Sequence, residues 1–297
     1  MAMTTAHLDL KPKDYRSEVP PDWCPGCGDF GVLNALQRAC ADLSIAPHEI
    51  LVVSGIGCSS NLPGFFRSYG LHSLHGRSLP VATGARLGNH DLHVIAVGGD
   101  GDGYGIGMGH LFHSMRRNIN LTYIVMDNEI YGLTTGQISP TSLTGMKTKT
   151  TPEGNLEPPA NPLLVALAAG CHFVARGYSG DQKQLVEIIK QGLQHPGFAL
   201  IDVFSPCVTF NRVNTYDFFK ERVKRLEDMG HDSADHMAAI EQARIWGDVI
   251  PIGIFYQSPD PRPAIDDQDP ALQGEPLVHR ELGLSAEQRR QLIHEMM

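Results

Sequence analysis

Cys24 and Cys27, in the segment WCPGCGD, are spaced so that one short turn can aim both thiols at a common centre. Cys58, in GIGCSS, and Cys207, in FSPC, each follow a run that reads as a strand. Four thiolates on separate loops suit a structural zinc ion or an iron–sulfur cubane, and the spacing leaves both open. Cys40 falls on the apolar stripe Val32, Leu33, Leu36, Ala39, Cys40 and Leu43, and Cys171 follows Gly170 at a helix end, so both read as small core residues. A second chemical group is GGDGDGYGIGMGH, residues 98–110. Glycine at this density costs folding entropy, so it marks a place where backbone must approach another group closely. The run contains no G-x-G-x-x-G in register and the chain has no G-x-x-x-x-G-K-[ST], which excludes the dinucleotide fingerprint and the Walker loop. Glycines interleaved with Asp100 and Asp102 fit a diphosphate bridged by a cation, with backbone N–H groups facing the anion and a carboxylate holding Mg²⁺ against it. Asn128, in DNEIYG, is the natural second ligand.

The elements that must position these groups alternate. HVIAV (93–97) reads as a buried strand before the glycine run, which is expected to be a loop; LFHSMRRN (111–118) reads as a helix and LTYIVMD (121–127) as the next strand. Helical spacing over 28–43 leads to strand ILVVSG (50–55), then a loop over 56–79, then a helix from Pro80. After a long Thr-, Gly- and Pro-rich segment from Asn128 come helix LLVALAAG, strand HFVARG, an amphipathic helix over 181–194 and strand FALIDVF. This order predicts an α/β fold with a doubly wound, mostly parallel sheet covered on both faces. Ligands of such sheets gather at the strand carboxyl ends, where Cys58, the glycine run, Asn128 and Cys207 all fall. Residues 1–214 are expected to form this domain and 215–297 a C-terminal extension on the domain or a partner subunit, with helices over YDFFKERVKRLED and ADHMAAIEQAR, a strand at IPIGIFY and an extended tail.

The net charge of −9, from 24 basic and 33 acidic residues, argues against nucleic acid or an anionic membrane as a partner. The longest apolar stretch, PLLVALAAG, is shorter than the roughly 18 residues of a membrane span. The N-terminal stretch lacks a continuous signal-peptide apolar core, and the expectation is a cytoplasmic protein.

WCPGCGD, GIGCSSN, LHGRSLPVATGARL, GGDGDGYGIGMGH, RRNINLTYIVMDNEIYGLTTGQ and SPCVTFN, in this order over roughly residues 15–260, resemble the β subunit of 2-oxoacid:ferredoxin oxidoreductases. The resemblance implies a thiamine diphosphate-binding fold. It implies that Asp100, Asn128 and the backbone carbonyl of Ile130 hold Mg²⁺, and that Ile56, Gly57, Cys58, Ser59, Gly101, Asp102, Gly132 and Leu133 contact the cofactor. Cys24, Cys27, Cys58 and Cys207 would bind one [4Fe-4S] cluster, which supplies the electron acceptor that oxidative thiamine chemistry requires where no nicotinamide fingerprint exists. The implied activity is oxidative decarboxylation of a 2-oxoacid to acyl-CoA and CO₂ with electrons passed to ferredoxin, reversible in principle to fix CO₂. The implied partners are ferredoxin, coenzyme A and an α subunit that supplies the aminopyrimidine-binding domain and its Glu, in a dimer of heterodimers. The loop TTGQISPTS is closest to the 2-oxoglutarate or broad 2-oxoacid branch, with a pyruvate-specific enzyme as the alternative.

His75 and Arg77, in LHGR, are candidate catalytic residues: the imidazole for substrate or cofactor, the guanidinium for the substrate carboxylate. Each also has a plain structural role open to it, a backbone hydrogen bond for His75 and an ion pair for Arg77, and Asp102 could simply cap the following helix. Two further classes compete: a non-redox thiamine decarboxylase or synthase, and a zinc-stabilised binding module.

Overall fold

Buried strands explain the near-continuous apolar runs, because alternate residues serve two separate cores. Ile95 and Val97 pack on one side of the sheet with Ile124 and Met126, while Val94 and Ala96 pack on the other with Tyr123 and Val125. The computed structural model describes residues 10–281 and 283–296. Its eight strands are β1 (Ile50–Ser54), β2 (Tyr69–His72), β3 (His93–Gly99), β4 (Leu121–Asp127), β5 (Phe173–Tyr178), β6 (Phe198–Phe204), β7 (Val223–Arg225) and β8 (Ile250–Gln257). They form one sheet in the order β2-β1-β3-β4-β6-β5-β8-β7. All pairings are parallel except β5 with β8, so the doubly wound, mostly parallel α/β architecture holds.

Ten helices accompany the sheet: α1 (Asp29–Asp42), α2 (Leu62–Phe65), α3 (Ser78–Gly88), α4 (Met108–Arg117), α5 (Pro162–Ala168), α6 (Gln182–Gln194), α7 (Tyr216–Arg222), α8 (His236–Ala243), α9 (Ile265–Gln268) and α10 (Ala286–Met296). Helices α1 and α6 cover one face through Leu33, Leu36, Ile188 and Ile189; α3, α4, α5 and α8 cover the other through Leu79, Leu111, Leu163 and Ala239. The starts of α5, α6, α7 and α8 are encoded locally, since Asn161, Asp181, Thr215 and Asp235 each accept a backbone N–H from the first turn of the helix that follows. Among the described residues no helix is long and apolar enough to cross a membrane.

Several expectations change. The stretch 56–79 is not all loop: it contains α2 and β2, whose four residues are exposed on the outer edge of the sheet and so lack an apolar run. The glycine run is not an open loop either. Strand β3 continues to Gly99, and residues 101–106 wind into a wide helical turn in which Gly107 N–H donates five residues back to the Asp102 carbonyl at 3.0 Å. The helix expected over YDFFKERVKRLED ends at Arg222, where β7 begins. Beyond residue 214, β8 pairs with β5 and β7 with β8, so residues 223–257 extend the same sheet.

The tail beyond β8, expected to be extended, contains α9 and is strapped to the sheet base. Arg86 Nε donates to Asp266 Oδ2 at 2.7 Å, Asn120 N–H to Asp266 Oδ1 at 3.3 Å and Asn118 Nδ2 to the Arg262 carbonyl at 2.6 Å. Both partners of the ion pair are largely buried. Removing one partner of a buried pair strands the other charge, so Asp266→Ala is expected to destabilise the protein by about 3 kcal/mol, read from the urea midpoint at constant slope.

Candidate functional site

Two connections leave the sheet centre in opposite directions: β1 runs on to β2 at the edge, and β3 runs on to β4 toward the middle. The crevice where the winding reverses lies between the carboxyl ends of β1 and β3. The loop after β1 (55–59) and the glycine run after β3 form its walls.

Asp102 ties these walls together. Its Oδ1 accepts hydrogen bonds from Ile56 N–H at 3.0 Å and Gly76 N–H at 2.6 Å, and lies 2.7 Å from His75 Nδ1. The carboxylate is buried, so one oxygen joins the loops after β1 and β2 to the turn after β3. It does not cap the following helix, and its other oxygen, Oδ2, is buried with no partner among the described residues. A β-carbon at Gly55 would overlap the Asp102 carboxylate, which explains that glycine. Gly101 answers the question of the run itself: a side chain there would enter the Tyr131 ring, whose hydroxyl donates to the Gly101 carbonyl at 3.1 Å. Gly57, at φ +140°, needs glycine for its backbone alone, and Ser59 is buried behind it.

Asp100 directly follows β3 and is buried. Its Oδ2 faces Thr141 Oγ1 at 2.7 Å, and the same hydroxyl lies 2.8 Å from Asp127 Oδ1. One hydroxyl carries one hydrogen, so it donates to one carboxyl group and can bond the other only by accepting from it. Burial pushes Asp100 up to about 6; Asp127 is driven well above the usual carboxylate range by burial and by the charges of Asp100, Asp202 and Glu129. Glu129 is raised by burial and by Asp100, and neither of its oxygens has a partner among the described residues. Arg176 is pledged to Asp202, donating from Nε at 2.8 Å, and Tyr104 of the glycine run donates to the other oxygen of Asp202 at 2.8 Å. Thr141, Tyr104 and Glu129 were not singled out in the sequence. Thr141 sits among several interchangeable threonines and carries no local signal.

Asn128 follows β4, the hydrogen-bonded neighbour of β3, and so stands beside the Asp100 rim. Its Oδ1 accepts Ile130 N–H at 3.1 Å, Asn211 Nδ2 donates to its carbonyl at 3.0 Å, and Ser142 Oγ donates to the Glu129 carbonyl at 2.6 Å. These bonds hold Glu129 in the left-handed region, φ +55°, and bend the chain so that buried Ile130 follows Asn128 at once.

Cys24, Cys27, Cys58 and Cys207 line one cavity of about 270 Å³, together with Trp23, Asn128, Gly132 and Leu133. The Sγ atoms of Cys58 and Cys207 each lie 3.6 Å from the place a β-carbon would take on Gly132. The loops are locked in register. Gly28 N–H donates to the Pro206 carbonyl at 3.1 Å, Ser205 Oγ to Asp29 Oδ1 at 2.5 Å, and Trp23 Nε1 to the Cys58 carbonyl at 2.7 Å. A β-carbon on Gly28 would stand 2.6 Å from the Ser205 carbonyl carbon. Burial pushes Cys58 up to about 11 and Cys27 further still, so these thiols ionise only when something positive is bound to them. Among the described residues no three His, Cys, Asp or Glu side chains close on a single point that would hold a metal ion. Cys40 and Cys171 are fully buried core residues, as expected, each pushed up to about 12 by burial. The Arg77 guanidinium donates from Nη1 to the Gly76 carbonyl at 3.3 Å.

A glycine–aspartate turn after one central strand and an asparagine after the next mark the diphosphate-binding half of a thiamine diphosphate enzyme. Residues 55–203 match the family described as thiamine pyrophosphate enzyme, C-terminal TPP binding domain, and residues 207–273 match the C-terminal family of the pyruvate ferredoxin oxidoreductase beta subunit. Over 255 residues the chain is 47% identical to 2-oxoacid:ferredoxin oxidoreductase 1, subunit beta, of Aeropyrum pernix, covering 82% of this chain and 80% of that protein. It is 46% identical over 207 residues to 2-oxoglutarate oxidoreductase subunit KorB of Mycobacterium tuberculosis, covering 70% of this chain and 56% of that one. A solved structure of 2-oxoglutarate:ferredoxin oxidoreductase from Magnetococcus marinus, with 2-oxoglutarate, coenzyme A and succinyl-CoA bound, superposes with a TM-score of 0.86 at 45% identity, covering 97% of each chain. The chain belongs to the family of 2-oxoacid:ferredoxin oxidoreductase β subunits and is thus one subunit of an enzyme complex.

Asp100 and Asp29, each pushed up to about 6 by burial, bind protons more tightly folded than unfolded. Their contribution to stability is complete below the unfolded value of 3.8 and is lost as pH rises through about 6. The protein is therefore expected to lose denaturation midpoint as pH rises from about 4 to about 6 and to level off above that.

Proposed function

We propose that this subunit binds thiamine diphosphate through Mg²⁺ held by Asp100, Asn128 and the Ile130 carbonyl, and a [4Fe-4S] cluster through Cys24, Cys27, Cys58 and Cys207. The observation that carries the reading is the shared cavity: four thiols from three parts of the chain and the Asn128–Leu133 turn line the same space. A cubane is larger than a single ion, so sulfurs that surround a cavity suit it better than sulfurs closed on a point. Mg²⁺ is matched by a buried carboxylate, an amide oxygen and a carbonyl, with diphosphate oxygens completing its shell. When bound, thiamine diphosphate supplies a nucleophilic carbon and an electron sink for a 2-oxoacid, and the cluster takes electrons one at a time.

The residues of this chain bind, orient and exclude water. Gly101 and Asp102 offer backbone N–H groups at the start of a helical turn, where an anion is favoured. Ile56, Gly57 and Ser59 close the opposite wall, and Gly132 brings its backbone beside the sulfurs of Cys58 and Cys207, each 3.6 Å from where its β-carbon would stand. Arg77 provides a cation for the substrate carboxylate. Ile56, Leu74, Ile106 and Leu133 are exposed apolar side chains around the crevice, a surface that fits covering by the α subunit, which would bring the carboxylate for the aminopyrimidine. The substrate is 2-oxoglutarate, supported by the names of the relatives and by the ligands of the Magnetococcus marinus structure. The products are the acyl-CoA and CO₂, electrons leave to ferredoxin, and the same site runs in reverse when reduced ferredoxin is abundant. The complex is a dimer of heterodimers.

Anaerobically purified complex is expected to show a broad visible iron–sulfur absorbance and to contain iron; zinc without iron in a colourless protein would overturn the cluster. The isolated chain is expected to reduce no ferredoxin with any 2-oxoacid. With the α subunit present, acceptor reduction should be faster with 2-oxoglutarate than with pyruvate, and the reverse order would overturn the substrate assignment.

A further inference from the structure

The long segment after β4 buries polar side chains that a loop ordinarily presents to water. Ser139, Thr141, Ser142 and Asn155 are each at most 6% exposed. Buried hydroxyls and amides must find partners, and here the partners lie on the acidic rim. The chain leaves β4 at Asp127 and passes through Asn128, Glu129 and Ile130. A short hairpin then turns it back, with Tyr131 N–H donating to the Gln137 carbonyl at 2.9 Å and Gly136 N–H to the Tyr131 carbonyl at 2.8 Å. Residues 139–142 thus return beside the strand ends they have just left.

This return turn grips the rim at two points. Thr141 Oγ1 stands 2.7 Å from Asp100 Oδ2 and 2.8 Å from Asp127 Oδ1. Ser142 Oγ accepts Ser139 N–H at 2.8 Å and donates its one hydrogen to the Glu129 carbonyl at 2.6 Å. Glu129 separates Asn128 from Ile130, and its own N–H donates to Asp127 Oδ1 at 3.1 Å. All three groups assigned to Mg²⁺ are therefore reached from one turn: Asp100 through Thr141, and the Asn128–Ile130 pair through Ser142. The turn is fixed from behind as well, by Asn155 Nδ2 donating to the Ser142 carbonyl at 3.1 Å and Ala160 N–H to the Pro140 carbonyl at 2.8 Å.

We propose that Thr141 and Ser142 are positioning residues for the cation, holding its ligands at the separation that Mg²⁺ requires. This rests on the reading of a Mg²⁺-bridged diphosphate and deepens it by giving the ISPTS part of the segment a task. Mg²⁺ demands near-ideal octahedral geometry at about 2.1 Å, whereas Ca²⁺ accepts longer and less regular bonds. Hydroxyls behind the ligands bear most on the smaller ion. Groups in that outer position change metal affinity by about 10- to 100-fold when removed.

The test reads the Mg²⁺ or Ca²⁺ concentration that half-saturates retention of thiamine diphosphate by the assembled complex on gel filtration, after cofactor and metal have been stripped. Thr141→Val keeps the shape and removes the hydroxyl; Thr141→Ser keeps the hydroxyl. Thr141→Val is expected to raise the Mg²⁺ requirement by at least about tenfold and the Ca²⁺ requirement by no more than about threefold. Thr141→Ser should stay within about twofold of the unaltered complex for both ions. Ser142→Ala should show the same selective loss of Mg²⁺, and it decides the matter alone if Thr141→Val does not assemble. An unchanged Mg²⁺ requirement in either variant, equal weakening of the two ions, or no recovery in Thr141→Ser would each overturn the proposal. Retention of thiamine diphosphate by the unaltered complex without any divalent cation refutes the Mg²⁺ reading itself, and the proposal with it; that outcome is read on the unaltered protein, so the two failures are distinct.

Discussion

Negative charge buried at the carboxyl end of the central strands is the constraint around which the molecule is arranged. Asp100, Asp127, Glu129 and Asp202 lie within a few residues of the ends of β3, β4 and β6, all but closed to water. Desolvation raises the cost of each charge, and proximity raises it again. Asp202 is matched by Arg176, and Asp100 and Asp127 share the Thr141 hydroxyl, but the set as a whole calls for protons or a cation. The Mg²⁺ and diphosphate proposed for this site would meet that demand. The dense glycines serve the packing around this site: a β-carbon on Gly101 would enter the Tyr131 ring, one on Gly103 would meet the Tyr123 hydroxyl, and one on Gly107 the Asp102 carbonyl.

A second division of labour runs alongside this one. The acidic rim is built from the ends of adjacent parallel strands, whereas the thiols come from loops that the strands merely launch. Those loops are pinned by side-chain to backbone bonds such as Trp23 to Cys58 and by the contact of Gly28 with the 205–206 turn. Gly132 belongs to both parts, being two residues past Ile130 and in contact range of two sulfurs.

Much of this was legible in the sequence, for physical reasons. The alternation of apolar runs and amphipathic helices encodes a sheet buried on both faces, and the central strands emerged where the pattern placed them. The edges did not, because β2 is exposed on all four residues and β7 is three residues long, so neither carries a hydrophobic signature. The cysteines and Asp100 stood out because their residue types are chemically scarce in such positions. Asp102 stood out for the same reason, but its bonds to Ile56, Gly76 and His75 join residues 46, 26 and 27 positions away, which no local pattern records. Thr141 was invisible: its role depends on where the long segment folds back, and its neighbours are also threonine and serine.

The outer strand β2 is anchored to the sheet by β1 alone. Four residues beyond its end, the chain is clasped at Gly76 by Asp102. The margin of the sheet and the mouth of the crevice are thus a single mechanical body, with the aspartate as rivet. Whatever load a neighbouring subunit places on that margin reaches the crevice through the short turn of residues 73–76.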